Sequence, residues 1–336
     1  MLEADVLPSL LAVAAFLPPS FYLWSVASFD RRAEPPSAVI GTFALGALAA
    51  YLLNALIAPF AAATDWGDDA LTATLLRTTL IVSLPEELAK FLVLFLFSRR
   101  FIAFDHPMEG IVYGAAVGLG FAAVENVPYL LLHLDRWTSV AFVRSVVTVP
   151  VHGALGVIAG LYVARARFGG ALRGRTGSWY RGRSYLAAAL VPIVLHALYD
   201  FPFALTHASD EPPEQVVTAL KALGLLVGLG IFSTGMSLTF RVAATQNPAF
   251  EPHCLSPYLL RAPWRLFVLG SLTGLLGLLM LAAEAAALLA GSELSIRRGM
   301  MAGAGAALVL LTVVLHRQAR NQQLQSRNRV DVDRFN

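Results

Sequence analysis

The sequence predicts an all-α, polytopic helical membrane protein of about nine transmembrane helices, with a catalytic core in spans three to six. Three observations carry that expectation. Of 336 residues, 57% are hydrophobic and only 14% are charged, too apolar for a water-soluble chain of this length. The apolar runs reach membrane-spanning length instead of strand length. The basic residues fall in short loops between those runs, on alternate sides.

The spans are expected near 6–29, 38–62, 70–98, 110–133, 139–164, 185–206, 215–240, 265–290 and 299–315. Span one holds Pro18-Pro19, predicted to kink it. Span two follows Arg31-Arg32 and stays apolar to Phe60. Span three lies between the acidic Asp65-Trp66-Gly67-Asp68-Asp69 and Arg99-Arg100. Span four carries Gly110-x-x-x-Gly114-x-x-x-Gly118, and span five carries Gly156-x-x-x-Gly160. Such small-residue faces let helices approach closely, and packing is their default role. Span six follows a loop containing Arg165, Arg167, Arg173, Arg175, Arg181 and Arg183. Span seven follows Asp210-Glu211-Pro212-Pro213-Glu214. Arg297-Arg298 separates spans eight and nine, and a basic tail begins at His316.

Alternate loops hold nearly all the arginines, while the opposite side holds Arg136, Arg297, Arg298 and the two acidic clusters. The positive-inside rule then places the N-terminus outside and the C-terminus in the cytoplasm of an inner-membrane, multi-pass protein. Met1-Leu2-Glu3-Ala4-Asp5 has no basic n-region, so no cleaved signal peptide is expected. The expected divisions are 1–69 (two helices), 70–206 (a four-helix catalytic core), 207–315 (three helices) and 316–336 (a basic cytoplasmic tail). One cysteine, Cys254, excludes an intrachain disulfide framework. The net charge of +3 reflects loop arginines and points to membrane lipid, with no nucleic-acid partner.

Four consecutive spans carry polar groups deep inside. Span three has Glu86-Glu87-x-x-Lys90; span four has Phe121-x-x-x-Glu125-Asn126; span five has His152; span six has His196-x-x-x-Asp200. Ionisable residues at membrane depth are costly and mark functional sites by default. Glu86 and Lys90, like His196 and Asp200, are four residues apart and share a helix face. At ~1.5 Å per residue from the cytoplasmic ends, Glu86 lies ~18 Å deep, Glu125 ~22 Å, His152 ~18 Å, His196 ~17 Å and Asp200 ~23 Å. Antiparallel helices bring these groups into one layer. Lys90 reads most simply as a counter-ion for the glutamates, and Phe121 as packing. Asn126 reads equally as interhelical glue or as an oxyanion donor. Glu284, Arg77, Arg144 and Lys221 read as structural or snorkelling.

A carboxylate beside an imidazole can hold and deprotonate a water, and a second donor can stabilise an oxyanion. The set therefore suits amide hydrolysis. Ser83 is nearby, but nothing in the sequence pairs it with a base as a nucleophile. No cofactor is expected as a requirement. Two His and carboxylates also match zinc ligand types, and Glu87, His152 and His196 would then be the ligands. Two other classes use the same residues: a proton- or ion-coupled transporter with a buried relay, or a non-catalytic scaffold binding a partner helix.

At these residues the chain resembles the PrsW family of intramembrane proteases, within the wider group of CAAX prenyl endopeptidases and bacteriocin-processing membrane proteins. The shared pattern is Glu86-Glu87-x-x-Lys90, Phe121-x-x-x-Glu125-Asn126, a His152 helix and His196-x-x-x-Asp200, in that order on successive helices. It covers about residues 70–206. The resemblance implies a glutamate-type endopeptidase that cleaves a membrane-embedded protein substrate. In the family that substrate is an anti-sigma factor, whose cleavage belongs to an envelope stress response. Carried over, Glu86 or Glu87 is the general base and His152 helps position the water. His196 with Asp200 or Asn126 stabilises the oxyanion, and Glu125 is a further carboxylate of the catalytic layer.

Overall fold

The computed structural model describes residues 7–30, 34–64, 69–100, 104, 106–173, 178–208 and 213–246. The expected spans 265–290 and 299–315, the tail from His316, Cys254 and Glu284 lie outside the described residues, as do Asp65–Asp68 and Asp210–Pro212 of the acidic loops. Every regular element among the described residues is helical. The helices are α1 (Leu7–Ala27), α2 (Pro36–Ala63), α3 (Ala70–Arg77), α4 (Leu84–Arg100), α5 (Pro107–Leu132), α6 (Trp137–Val143), α7 (Val149–Arg173), α8 (Ser178–Leu205) and α9 (Glu214–Thr245). Among the described residues, six stretches are long and apolar enough to cross a membrane: Leu7–Ala27, Pro36–Ile57, Pro107–Leu132, Leu134–Gly169, Ser178–Leu205 and Glu214–Thr245. The chain is a multi-pass helical membrane protein. The third expected span, α3 with α4, carries Arg77, Glu86, Glu87 and Lys90 and is not among the six.

Two π-helical stretches interrupt this pattern. Thr78–Ser83 joins α3 to α4, and Arg144–Thr148 joins α6 to α7. Each is followed, one residue later, by a proline: Pro85 and Pro150. A proline cannot donate to the carbonyl four residues back, and its ring collides with that carbonyl in a regular helix. A wider turn just upstream relieves the collision, and such turns recur at functional sites. Glu87 and His152 each stand two residues beyond their proline. Helix α1, by contrast, continues through both Pro18 and Pro19.

The residues form two compact units. The larger comprises Ala15–Tyr129 and Val147–Thr239. Inside it α5 and α7 run antiparallel at backbone contact. A Cβ at Gly110 would meet the Gly160 carbonyl oxygen, one at Gly114 that of Gly156, and one at Gly118 that of His152. Lipid tails are as apolar as leucine, so van der Waals contact of this kind drives helix association in a membrane. Gly46 and Gly120 bring α2 onto the backbone of α5 in the same way, at Val117 and Phe43. One apolar core, with Leu94, Phe97, Phe104, Tyr113 and Val163, ties α4, α5 and α7 together. A second, with Val151, Leu155, Tyr199 and Ile231, ties α7, α8 and α9. Trp24, Ile40, Leu56, Leu92 and Val194 stay exposed, as lipid-facing positions should. The described residues of the smaller unit are 7–14, 130–146 and 240–246; they include α6 and a short 3₁₀ turn, Leu134–Arg136.

Candidate active site

The site is built on four helices of the larger unit. On the first π stretch and α4 the buried positions are Thr78, Ser83, Glu87, Lys90, Leu94 and Phe97, of which the last five form one stripe at helical spacing. Glu87 and Lys90 are each only 3% exposed. Helix α5 supplies Phe121, Glu125 and Asn126, α7 supplies His152, and α8 supplies His196 and Asp200. Every site residue expected from the sequence lies in this unit, and Glu86, Glu87, Lys90, Phe121, Glu125, His152, His196 and Asp200 join one connected network.

At its centre, Glu87 Oε1 accepts from Lys90 Nζ at 2.8 Å and pairs with His196 Nδ1 at 2.8 Å. Lys90 Nζ also lies 2.8 Å from His152 Nδ1 and 3.4 Å from Glu86 Oε2. The outer nitrogen of each imidazole meets a second carboxylate. His152 Nε2 is 2.9 Å from Glu125 Oε2, and His196 Nε2 is 3.1 Å from Asp200 Oδ2. Both rings thus turn Nδ1 inward and are held from behind by a carboxylate. That outer contact fixes the tautomer and orientation of an imidazole. The rings meet edge to face, 5.1 Å apart. Phe121 stacks near His152 and lies 4.2 Å below Lys90 Nζ, a cation–π contact that anchors the ammonium.

The two glutamates differ. The Glu87 side chain is 2% exposed and held by two partners, whereas that of Glu86 is 14% exposed with one long contact to Lys90. Consecutive residues diverge by about 100° around a helix, so only one can lie on the buried stripe. Glu86, Glu87, His152 and His196 present one ligand atom each, all within 4.8 Å of one another. The donor set fits a divalent metal: two inward imidazole nitrogens and carboxylate oxygens are zinc ligand types, and the outer carboxylates complete the usual second layer. The Lys90 ammonium contacts three of the same four residues, so the cluster is already arranged around positive charge.

Asn126, 2% exposed, donates from Nδ2 to the Ala15 carbonyl of α1 at 3.1 Å. Replacing it with Leu is expected to lower thermal stability by about 1 kcal/mol, read as the melting midpoint in detergent. A drop in kcat well below that midpoint would add an oxyanion role to the tie. Pro85, which lacks an N–H, points in the sequence to an opened backbone ahead of the glutamate pair, but not to a π turn, and the π turn ahead of His152 was not anticipated. The only signal of either turn was a proline two residues ahead of Glu87 and of His152. Nor was the hydrogen bond from Tyr113 to Glu34 anticipated, for which the sequence holds no signal.

A family model described as "PrsW family intramembrane metalloprotease" matches residues 34–244, which include all of these groups. The chain belongs to the PrsW family. Similar curated proteins are each named Protease PrsW. The one from Oceanobacillus iheyensis is 30% identical over 172 residues, covering 51% of this chain and 73% of its own length. That from Geobacillus kaustophilus is 33% identical over 173 residues, covering 51% and 69%. That from Bacillus subtilis is 38% identical over 116 residues, covering 34% and 49%. No solved structure gives a significant match. As a member of the PrsW family the chain is an intramembrane endopeptidase, and the transporter and scaffold readings of the buried polar set fall away.

Proposed function

We propose that this chain hydrolyses a peptide bond of a membrane-embedded protein with a water activated by Glu86, in a site where Glu87, His152 and His196 hold a divalent metal. One observation carries the reading: both imidazoles present Nδ1 to the same point as the two glutamates, each ring backed by its own carboxylate. Three protein ligands with an adjacent free carboxylate is the composition of a catalytic metal site. A metal bound there supplies a Lewis acid that polarises the scissile carbonyl and acidifies water.

The chain's own residues do the rest. Glu86, the less engaged glutamate, takes one proton from the water as its oxygen attacks the carbonyl carbon. It returns that proton to the amide nitrogen as the C–N bond breaks. The new carboxylic acid then gives its remaining proton to the released amine. Glu87 keeps its contact to Lys90 throughout, while Glu125 and Asp200 hold the two imidazoles in register. The surrounding helices exclude bulk water, which strengthens each of these electrostatic contacts. The loop arginines support a cytoplasmic C-terminal side in the inner membrane. Helices α4, α5, α7 and α8, within residues 70–206, are the catalytic core in this reading.

The purified full chain in detergent is the material for the test, with labelled casein as a general protease substrate. It is expected to retain about one zinc per chain by mass spectrometry of the metal, and chelation should abolish cleavage until zinc is returned. A sample stripped of metal that cleaves at the full rate overturns the metal part. Full-rate cleavage by Glu86→Gln overturns the glutamate part.

A further inference from the structure

Among the described residues, the buried serine and threonine hydroxyls follow a rule with one exception. Thr42, Thr78, Ser145, Ser184, Thr206 and Thr239 each donate to a backbone carbonyl three or four residues back. Ser83 is 0% exposed, and its Oγ has no hydrogen-bond partner. The cause is local. Its customary acceptor is the Thr79 carbonyl, four residues back. In the π turn that carbonyl accepts from the N–H of Leu84, five residues on. The widened turn therefore takes the acceptor away from Ser83.

The same turn sets where the hydroxyl points. Ser83 begins the buried stripe that continues through Glu87 and Lys90. It stands one helical turn before Glu87 and three residues before Glu86, on the face that carries the reaction centre. A buried polar group calls for a partner, and where protein offers none the usual partner is a bridging water.

We propose that Ser83 is a positioning residue that holds the nucleophilic water against Glu86. This rests on the glutamate-activated water proposed above and adds the group that aims it. The water donates one hydrogen to Glu86 and accepts from Ser83 Oγ–H, and the electron pair freed as Glu86 takes the proton attacks the carbonyl carbon. Ser83 keeps its own proton throughout. Only the hydrogen given to Glu86 is transferred in the attack.

The test compares Ser83→Ala, Ser83→Cys and Ser83→Thr in the full metal-loaded chain, with labelled casein in detergent. The readouts are kcat, KM, metal content and melting temperature. Ser83→Ala and Ser83→Cys are expected to lower kcat by about 10–100-fold, with KM, metal content and melting close to wild type. Ser83→Thr, which restores the hydroxyl, should return kcat to within about threefold. Cys matches Ser in shape, so it serves if the Ala variant does not fold. Unchanged kcat with a higher melting temperature in Ser83→Ala overturns the proposal, because the hydroxyl is then merely an unsatisfied group. A raised KM at constant kcat overturns it in favour of substrate binding, and failure of Thr to rescue overturns it in favour of packing. Glu86→Gln is run beside them. If that variant keeps wild-type turnover, the glutamate reading itself has failed. If it is inactive while Ser83→Ala runs at full rate, only the serine has been misassigned.

Discussion

Replacing Glu86 by Gln is expected to lower kcat by about 10³-fold and leave thermal stability unchanged, whereas Glu87→Gln should lose both activity and stability. The two carboxylates are adjacent in sequence, yet their surroundings separate their roles. Glu86 is the more exposed and contacts only Lys90, at 3.4 Å. A neutral amide there removes a base and costs the fold little. Glu87 is the sole carboxylate within reach of both Lys90 and His196, each at 2.8 Å. Its neutralisation leaves the buried ammonium with only the longer Glu86 carboxylate contact, and breaking a buried pair from one side costs about 3–5 kcal/mol. Melting in detergent, measured beside casein cleavage, separates the variants. Equal stability loss in both would mean that the exposure difference does not divide the labour. Glu125→Gln and Asp200→Asn should fall between, with about 10–100-fold weaker metal binding or activity, because they act through the imidazoles.

How much of this could be read from the sequence differs by residue. The polar positions were legible because a charge at membrane depth contradicts its apolar setting, whatever the packing. Their convergence was legible because Glu86, Glu125, His152, His196 and Asp200 fall at one depth on successive spans. The inward Nδ1 geometry was not legible, since which ring nitrogen faces which carboxylate depends on rotamers and on interhelical distance. The division between Glu86 and Glu87 was also hidden. Spacing shows only that they diverge, and it took the stripe Ser83, Glu87, Lys90, Leu94 to show which one points inward. The π turns were hidden for a different reason. A proline inside an apolar run predicts a disturbed helix, but Pro18 and Pro19 leave α1 continuous while Pro85 and Pro150 follow widened turns. The outcome depends on what the neighbouring helices require, and no local rule contains that.

Gly156→Val is expected to be the most damaging substitution away from the polar groups. Gly156 lies on the antiparallel face where α5 and α7 touch through backbone atoms, and any Cβ there falls on the Gly114 carbonyl oxygen. That obstacle is main chain within a helix, so no rotamer change can clear it. The helices must separate. Overpacking of this kind costs about 1–3 kcal/mol, and more where the backbone cannot yield. The consequence for catalysis is direct, because His152 lies one turn from Gly156 and its own carbonyl rests on Gly118. Pushing α7 away from α5 pulls His152 from Glu125, its 2.9 Å partner, and from the stacked Phe121 ring. A misplacement of about 1 Å can cost about 10²-fold in rate. Gly156→Val should therefore lower melting and reduce cleavage even in the fraction that folds, with Gly156→Ala intermediate. Gly41→Ala is the matched control, since a Cβ there meets nothing within 4 Å. It should melt and cleave as wild type does. Normal cleavage by folded Gly156→Val would mean that the glycine face sets stability alone. The spacing of α5 and α7 would then play no part in holding the imidazole to its carboxylate.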